Sequence, residues 1–154
     1  MMKVQELMTS DVKSCSPDTN LAAAAKIMWE GDCGAVPVVD EGGKVLGMIT
    51  DRDICIAGAT RPHAEGDIPV RDVISKVLYT CKPADDVRAA LETMRGQKVR
   101  RLPVVDASGR LAGIISIHDI AEKARSSRNA DVPPDAVLDT FVTITAPARV
   151  PAHA

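Results

Sequence analysis

The chain has 154 residues and a mass of 16.3 kDa, room for one compact domain or two small ones, with about 70% of the unfolded surface buried on folding. With 45% apolar and 26% charged residues it matches ordinary folded globular proteins, which excludes disordered, fibrous and collagen-like classes. Nineteen basic against twenty-one acidic residues leave a net charge of −2 and a pI near 5.9, without the cationic surplus that a long nucleic-acid partner demands.

Only Trp29, Tyr79 and Phe141 are aromatic, so the core has to be built from Val, Ile, Leu, Met and Ala. The first dozen residues are interrupted by Lys3, Glu6 and Asp11 where the apolar stretch of an export signal would lie. Val4 to Thr9 reads as a short helical lead-in. Pro17-Asp18 announces a helix, in which Leu21, Ala24, Ala25 and Met28 fall on one face at i, i+3, i+4 and i+7. Leu21 to Trp29 is also the most apolar stretch, yet it is mostly alanine and Lys26 breaks it, so no membrane span is expected. Trp29, at the end of this helix, is expected as a partly buried core residue, with a dimer contact as the alternative. Val36 to Val39, the turn Asp40-Glu41-Gly42-Gly43 and Val45 to Ile49 form a hairpin, and Pro37 argues that its first strand lies at a sheet edge or enters the sheet late. Thr50 to Ile54 opens a second helix running to about Ala59. Thr60 to Asp67 is a linker.

The same series then recurs. A shift of 66 residues superimposes 4–54 on 70–120 without a gap, with fifteen of 51 positions identical, against roughly four expected by chance from such usage. Val70 to Ser75 matches the lead-in; Val87, Ala90, Leu91 and Met94 match the first helix face; Leu102 to Val105 and Leu111 to Ile115 match the hairpin; Ser116 to Ile120 opens the last helix of the unit. The chain divides into a first repeat (1–62), a linker (63–69), a second repeat (70–126) and a tail (127–154). In the tail a helix over 135–145 presenting Val137, Leu138, Phe141 and Ile144 is preferred to a strand across Thr140 to Thr145. Neither repeat carries enough core alone, so the two are expected to pack as one module with pseudo-two-fold symmetry. Cys15, Cys33, Cys55 and Cys81 are spaced by 18, 22 and 26 residues, which gives no metal-binding or redox pair and points to a reduced, cytoplasmic chain, with two disulfides in a secreted chain as the alternative. Cys15 and Cys81, at equivalent positions, read as small buried apolar residues.

The repeated V-x-[ED]-[LV]-[MI]-[TS] opening, the P-V-V-D hairpin, the G-x-I strand and the closing [TS]-x-x-D-I helix start together resemble the CBS domain, twice in tandem, over about 4–57 and 70–124. The resemblance implies an α/β (α+β) fold of two β-α-β-β-α repeats with sheets face to face, a homodimer, and adenosine-containing ligands in clefts between the repeats. It assigns Thr50 and Ser116 to phosphate and Asp53 and Asp119 to ribose.

The residues support that assignment on physical grounds. Thr50 and Ser116 sit where a strand gives way to a helix, where several unpaired backbone N–H groups and the positive end of the helix dipole favour an anion. Arg52 and His118, inside the two motifs, are able to meet phosphate. The base would lie against Ala35-Val36-Pro37 and Cys15 in one cleft, and against Arg101-Leu102-Pro103 and Cys81 in the other. Arg100 and Arg101 are adjacent on a strand, so at most one faces a cleft, with surface solvation as the alternative for each; Lys98 to Arg101 is a basic run too short for nucleic-acid binding. The competing reading of Ser/Thr-x-x-Asp is a capping box that only satisfies a helix terminus. No catalytic constellation is legible, and His63, His118 and His153 join no triad. The expected function is therefore a regulatory module that senses AMP, ADP, ATP, NAD or S-adenosylmethionine, with Mg2+ entering only on phosphate, and passes occupancy to a partner protein. An adaptor with empty clefts and a weak nucleotide hydrolase are the alternatives.

Overall fold

The computed structural model describes residues 1–75, 77–126 and 131–148; residues 127–130 and 149–154 of the tail lie outside that description. Each repeat contributes a helix, an antiparallel hairpin and a second helix: α1 (Leu21–Glu30), β1 (Ala35–Val39), β2 (Val45–Thr50) and α2 (Asp51–Thr60), then α3 (Val87–Gln97), β3 (Arg101–Val105), β4 (Leu111–Ser116) and α4 (Ile117–Ser126). The tail forms a helix, α5 (Pro134–Thr145). The architecture is thus the expected mixture of helix and small antiparallel sheets, and α1 and α3 bury the apolar faces that their spacing implies: Leu21, Ala24 and Met28, and Val87, Ala90, Leu91 and Met94.

Each hairpin gains a third, one-residue strand. Cys15 bridges Val38 in parallel and Cys81 bridges Val104 in the same way. Pro37 and Pro103 lie in strands at the edge of two-stranded sheets, as expected, and the outer flank of each is met only by this single bridge. Both hairpin turns need a left-handed residue, supplied by Gly43 (φ 84°) and Gly109 (φ 80°). These turns also join the repeats: Val45 N–H donates to the Gly109 carbonyl (3.1 Å) and Leu111 N–H to the Gly43 carbonyl (3.0 Å).

The lead-ins are exchanged. The 3-10 turn Val4–Glu6 precedes the first repeat but is built into the second, where Val4 N–H donates to Asp85 O (2.9 Å), Gln5 N–H to Pro83 O (3.0 Å), and Val87 N–H to Met2 O (3.0 Å). The 3-10 turn Val70–Asp72 does the same for the first repeat: Val70 N–H to Thr19 O (2.7 Å), Arg71 N–H to Pro17 O (3.0 Å), and Leu21 N–H to Ile68 O (3.0 Å). Val4 consequently belongs to the core of Leu102, Ile115 and Ile120, and Val70 to that of Leu21, Val38 and Ile49. Thr9 continues the exchange by pairing with Ile114, each donating to the other at 2.9 Å. That close pass explains the repeated glycine of the G-x-I strand: a Cβ on Gly113 would come within 2.6 Å of Thr9 O.

Two expectations change. Trp29 is 87% exposed on α1, because the buried stripe of that helix runs through Leu21, Ala24 and Met28. On α5 the buried face is Val137 and Thr140, with Ile144 against the same core, while Leu138 and Phe141 are exposed. The helix rests on α3 and α4, which cover only one narrow side of it.

Truncating Val4 to alanine should cost about 2 kcal/mol of stability. Hydrogen exchange checks where: faster exchange in β3 and β4, with β1 and β2 unchanged, is the expected outcome, and acceleration confined to the first repeat would contradict the exchange. The thiols give a second test. All four are free, with Cys15 and Cys81 buried and Cys33 and Cys55 exposed. Burial pushes the Cys15 thiol up to about 11, and burial together with Asp85 pushes Cys81 up to about 12. Two thiols per native chain should react with a disulfide reagent at pH 8, and four after denaturation. The folded chain holds the Cys15 and Cys81 protons to higher pH than the unfolded chain does. Their stabilisation is therefore full below the ordinary value of 9.0 and is lost as pH rises through about 11 to 12.

Candidate functional site

The strand-to-helix junctions carry the predicted motifs, and both fold as reciprocal caps. Asp53 N–H donates to Thr50 Oγ1 (3.1 Å), and Thr50 N–H donates back to Asp53 Oδ2 (3.0 Å). In the second repeat Asp119 N–H donates to Ser116 Oγ (3.2 Å), while the Ser116 N–H (2.8 Å) and hydroxyl (2.6 Å) both donate to Asp119 Oδ2. The Oδ1 oxygen of each aspartate takes no hydrogen bond among the described residues. The expectation of several open N–H groups does not hold at α2. Asp51 N–H donates to Gly34 O (3.0 Å), Arg52 N–H to Asp51 Oδ1 (2.8 Å), and Asp53 N–H to Thr50. At α4, Ile117 N–H is likewise tied to Arg100 O (2.9 Å). An anion at the α2 junction must be met by side chains.

Two clefts lie at the motifs, and each is closed by the other repeat. The first, of about 420 Å3, sets Thr50, Asp51 and Arg52 against Lys98, Val99, Arg100 and Arg101 from the α3–β3 corner, with Ala35 on its floor and Ile144 of α5 at its rim. The second, of about 470 Å3, sets Ser116 and Asp119 against Gly31, Asp32 and Cys33 from the α1–β1 corner, with Arg101 and the chain at Thr9 to Lys13 completing it. The pseudo-two-fold axis relates these walls: Thr50 corresponds to Ser116, Ala35 to Arg101, and Lys98 to Asp32, each pair 66 residues apart.

Of the residues singled out in the sequence, Thr50, Arg52, Ala35 and Arg101 meet in the first cleft, and Ser116, Asp119, Ala35 and Arg101 in the second. Asp53 stands behind Thr50, bonded to it. Cys15, Val36, Pro37, Cys81, Leu102 and Pro103 line neither cleft. They are buried, because these short strands are covered on both faces, by their own repeat's helices and by the exchanged lead-in, which removes the alternation that would have turned every second residue outward. His118 also departs from expectation: its side chain is 83% exposed, 4.0 Å from Glu122, and it lines the groove between α4 and α5 instead of the Ser116 cleft. Arg100 and Arg101 both reach the first cleft, since Arg100 precedes β3 and strand alternation does not govern it. Lys98 and Asp32 are cleft residues that sequence reasoning passed over. Their one signal was position: each follows a helix at the corner before the next strand, where a left-handed residue turns the chain (φ 54° and 48°).

Among the described residues no three His, Cys, Asp or Glu side chains are grouped to hold a metal ion, and no helix is long and apolar enough to cross a membrane.

The comparisons with known proteins agree with this geometry. The CBS domain family model matches residues 4–59 and 70–126. The CBS domain-containing protein YhcV of Bacillus subtilis is 35% identical over 130 residues, spanning 84% of this chain and 91% of that one. Among solved structures, the CBS-domain containing protein ATU1752 from Agrobacterium tumefaciens is 35% identical with a TM-score of 0.70, covering 80% of this chain and 99% of the other. The CBS domain pair of protein MJ0100, solved with 5′-methylthioadenosine and S-adenosyl-L-methionine, is 25% identical with a TM-score of 0.71, covering 79% and 98%. Two copies of one motif set, folded as halves that close each other's clefts and matched twice along the chain, place this protein in the CBS domain family as a tandem pair.

Proposed function

We propose that the chain is a regulatory module which binds an adenosine-containing ligand in the two inter-repeat clefts and passes its occupancy to a partner protein in the cytoplasm. The observation that carries this reading is the composition of the clefts: each takes its motif from one repeat and its opposite wall from the other. A ligand seated there touches both halves, so its binding energy bears on their relative placement, and a ligand moves such an equilibrium only through contacts that differ between states. The ribose hydroxyls would donate to the free Oδ1 oxygens of Asp53 and Asp119, and Thr50 and Ser116 would face the 5′ substituent. Ala35 and Arg101 would flank the base, with Mg2+ arriving only on the ligand's phosphates. The solved MJ0100 pair with adenosine-derived ligands supports the ligand class. The cap and the ligand do not exclude each other, since a carboxylate has about four acceptor positions and the cap occupies only part of them.

Calorimetry and thermal shift with AMP, ADP, ATP, NAD and S-adenosylmethionine test the reading. One or two sites per chain, with stabilisation that grows as RT ln(1 + [L]/Kd), is the expected outcome. The double variant Asp53→Ala, Asp119→Ala should lose binding while the caps cost only about 0.5–2 kcal/mol each. Silence with all five ligands at millimolar concentration would leave the adaptor reading in place.

We propose further that the module is a homodimer. Trp29 and Ile56 on the first repeat, and Leu138, Phe141 and Val142 on α5, leave large apolar side chains in water, which a second copy of the chain would cover. Light scattering should give twice the 16.3 kDa chain mass, and Trp29→Ser should lower it. A chain mass at all micromolar concentrations would remove the dimer.

A further inference from the structure

The two clefts share a backbone but not a charge. Asp32 (φ 48°) and Lys98 (φ 54°) are the non-glycine residues of positive φ among those described, and they are equivalent positions of the two repeats. This left-handed conformation is uncommon for residues with a Cβ, yet both repeats use it to turn a helix into the strand after it. Each side chain then lines the cleft whose motif belongs to the other repeat: Lys98 opposite Thr50, and Asp32 opposite Ser116. The flanking residues follow the same division. Arg52, Lys98, Arg100 and Arg101 surround the first cleft with Asp51 as its acid, whereas the second carries Lys13 and Arg101 against Asp11, Asp32 and Asp119.

From this we infer that the clefts take different ligands: the Thr50 cleft an adenosine polyphosphate, the Ser116 cleft an adenosine compound whose 5′ substituent carries no phosphate chain. The inference rests on reading the clefts as adenosine sites and adds the ligand class of each. A di- or triphosphate brings several negative charges that water solvates well, and it leaves water only where cations replace that solvation. Two arginines and a lysine on one corner, facing Arg52 across the cleft, supply them, and arginine forks suit phosphate oxygens in particular. Asp53 and Asp119 hold equivalent caps and do not separate the clefts. In the second cleft Asp32 stands in the place of Lys98 and Asp11 also lines the wall, against Lys13 and Arg101. That arrangement is less favourable to polyanions and accommodates a neutral or cationic tail. The α2 terminus contributes no open N–H to this preference, its first donors being paired within the protein; the discrimination lies in side chains.

ATP and S-adenosylmethionine, a polyanion and a sulfonium cation on the same nucleoside, are the probes. The parent protein should bind one ATP and one S-adenosylmethionine per chain without mutual competition, and ATP affinity should fall with added salt while S-adenosylmethionine affinity holds. Lys98→Asp should weaken ATP about tenfold or more and spare S-adenosylmethionine. Asp32→Lys should do the reverse and admit a second ATP. Both variants place a residue where the other repeat already carries it in the same conformation, so folding is retained, and thermal unfolding verifies it. Two equal ATP sites in the parent, competition between the probes, failure of S-adenosylmethionine to bind while ATP does, or unchanged ATP affinity in Lys98→Asp each overturn the charge division while leaving adenosine binding intact. Failure of every adenosine compound overturns the reading of the clefts and this inference with it.

Discussion

The structure depends on the exchange of two short lead-ins. A repeat of this size is too small to close its own core, and the residue that completes each core, Val4 for the second repeat and Val70 for the first, comes from the segment preceding the other. The exchange is fastened by backbone hydrogen bonds at equivalent atoms on both sides, so the repeats cannot separate without opening both cores. Gly113 and Gly47 keep the crossing free: a Cβ on Gly113 would meet Thr9 O and Met8 Sδ, and one on Gly47 the Ile74 side chain at 3.1 Å. The pseudo-two-fold arrangement and the two clefts along it follow from this interlock.

The motif residues illustrate how one set of atoms serves stability and chemistry together. Thr50 with Asp53, and Ser116 with Asp119, form the reciprocal bonds of a capping box, which answers the needs of helix termini that have lost their intrahelical partners. The shorter aspartate in place of glutamate still reaches the preceding strand's last N–H, and it keeps one oxygen clear. A cap of this kind holds the hydroxyl and carboxylate in place before any ligand arrives, and rigid placement of polar groups lowers the cost of ordering them on binding.

Charge is where the duplicated halves have diverged. Along the superimposed segments the identities cluster at core and turn positions such as Val38 with Val104, Gly43 with Gly109 and Ile49 with Ile115. Meanwhile Asp32 stands opposite Lys98, Gly34 opposite Arg100, and Ala35 opposite Arg101. Packing constrains the first group, because cores tolerate little change of volume. The second group lines the clefts, where the backbone stays the same and the side chain is free to set what the cleft attracts.

Periodicity, the 66-residue repeat and the Ser/Thr-x-x-Asp signature were enough to place α1 to α4, both hairpins and the junctions that carry Thr50 and Ser116, because those features are set by contacts a few residues apart in the chain. The sequence also carried the family, through spaced elements that recur twice in order. It did not disclose which repeat each lead-in would join. Val4 is equally apolar against either core, and only the crossing geometry selects the far one. The same holds for the cleft walls. Arg100, Arg101 and Lys98 read as a short basic run beside β3, and His118 as a phosphate partner, until the fold brought the α3–β3 corner to Thr50 and turned His118 toward α5. Side-chain direction at a strand entrance, at a left-handed helix end and on a covered helix is decided by what packs across from it, and those neighbours are distant in sequence.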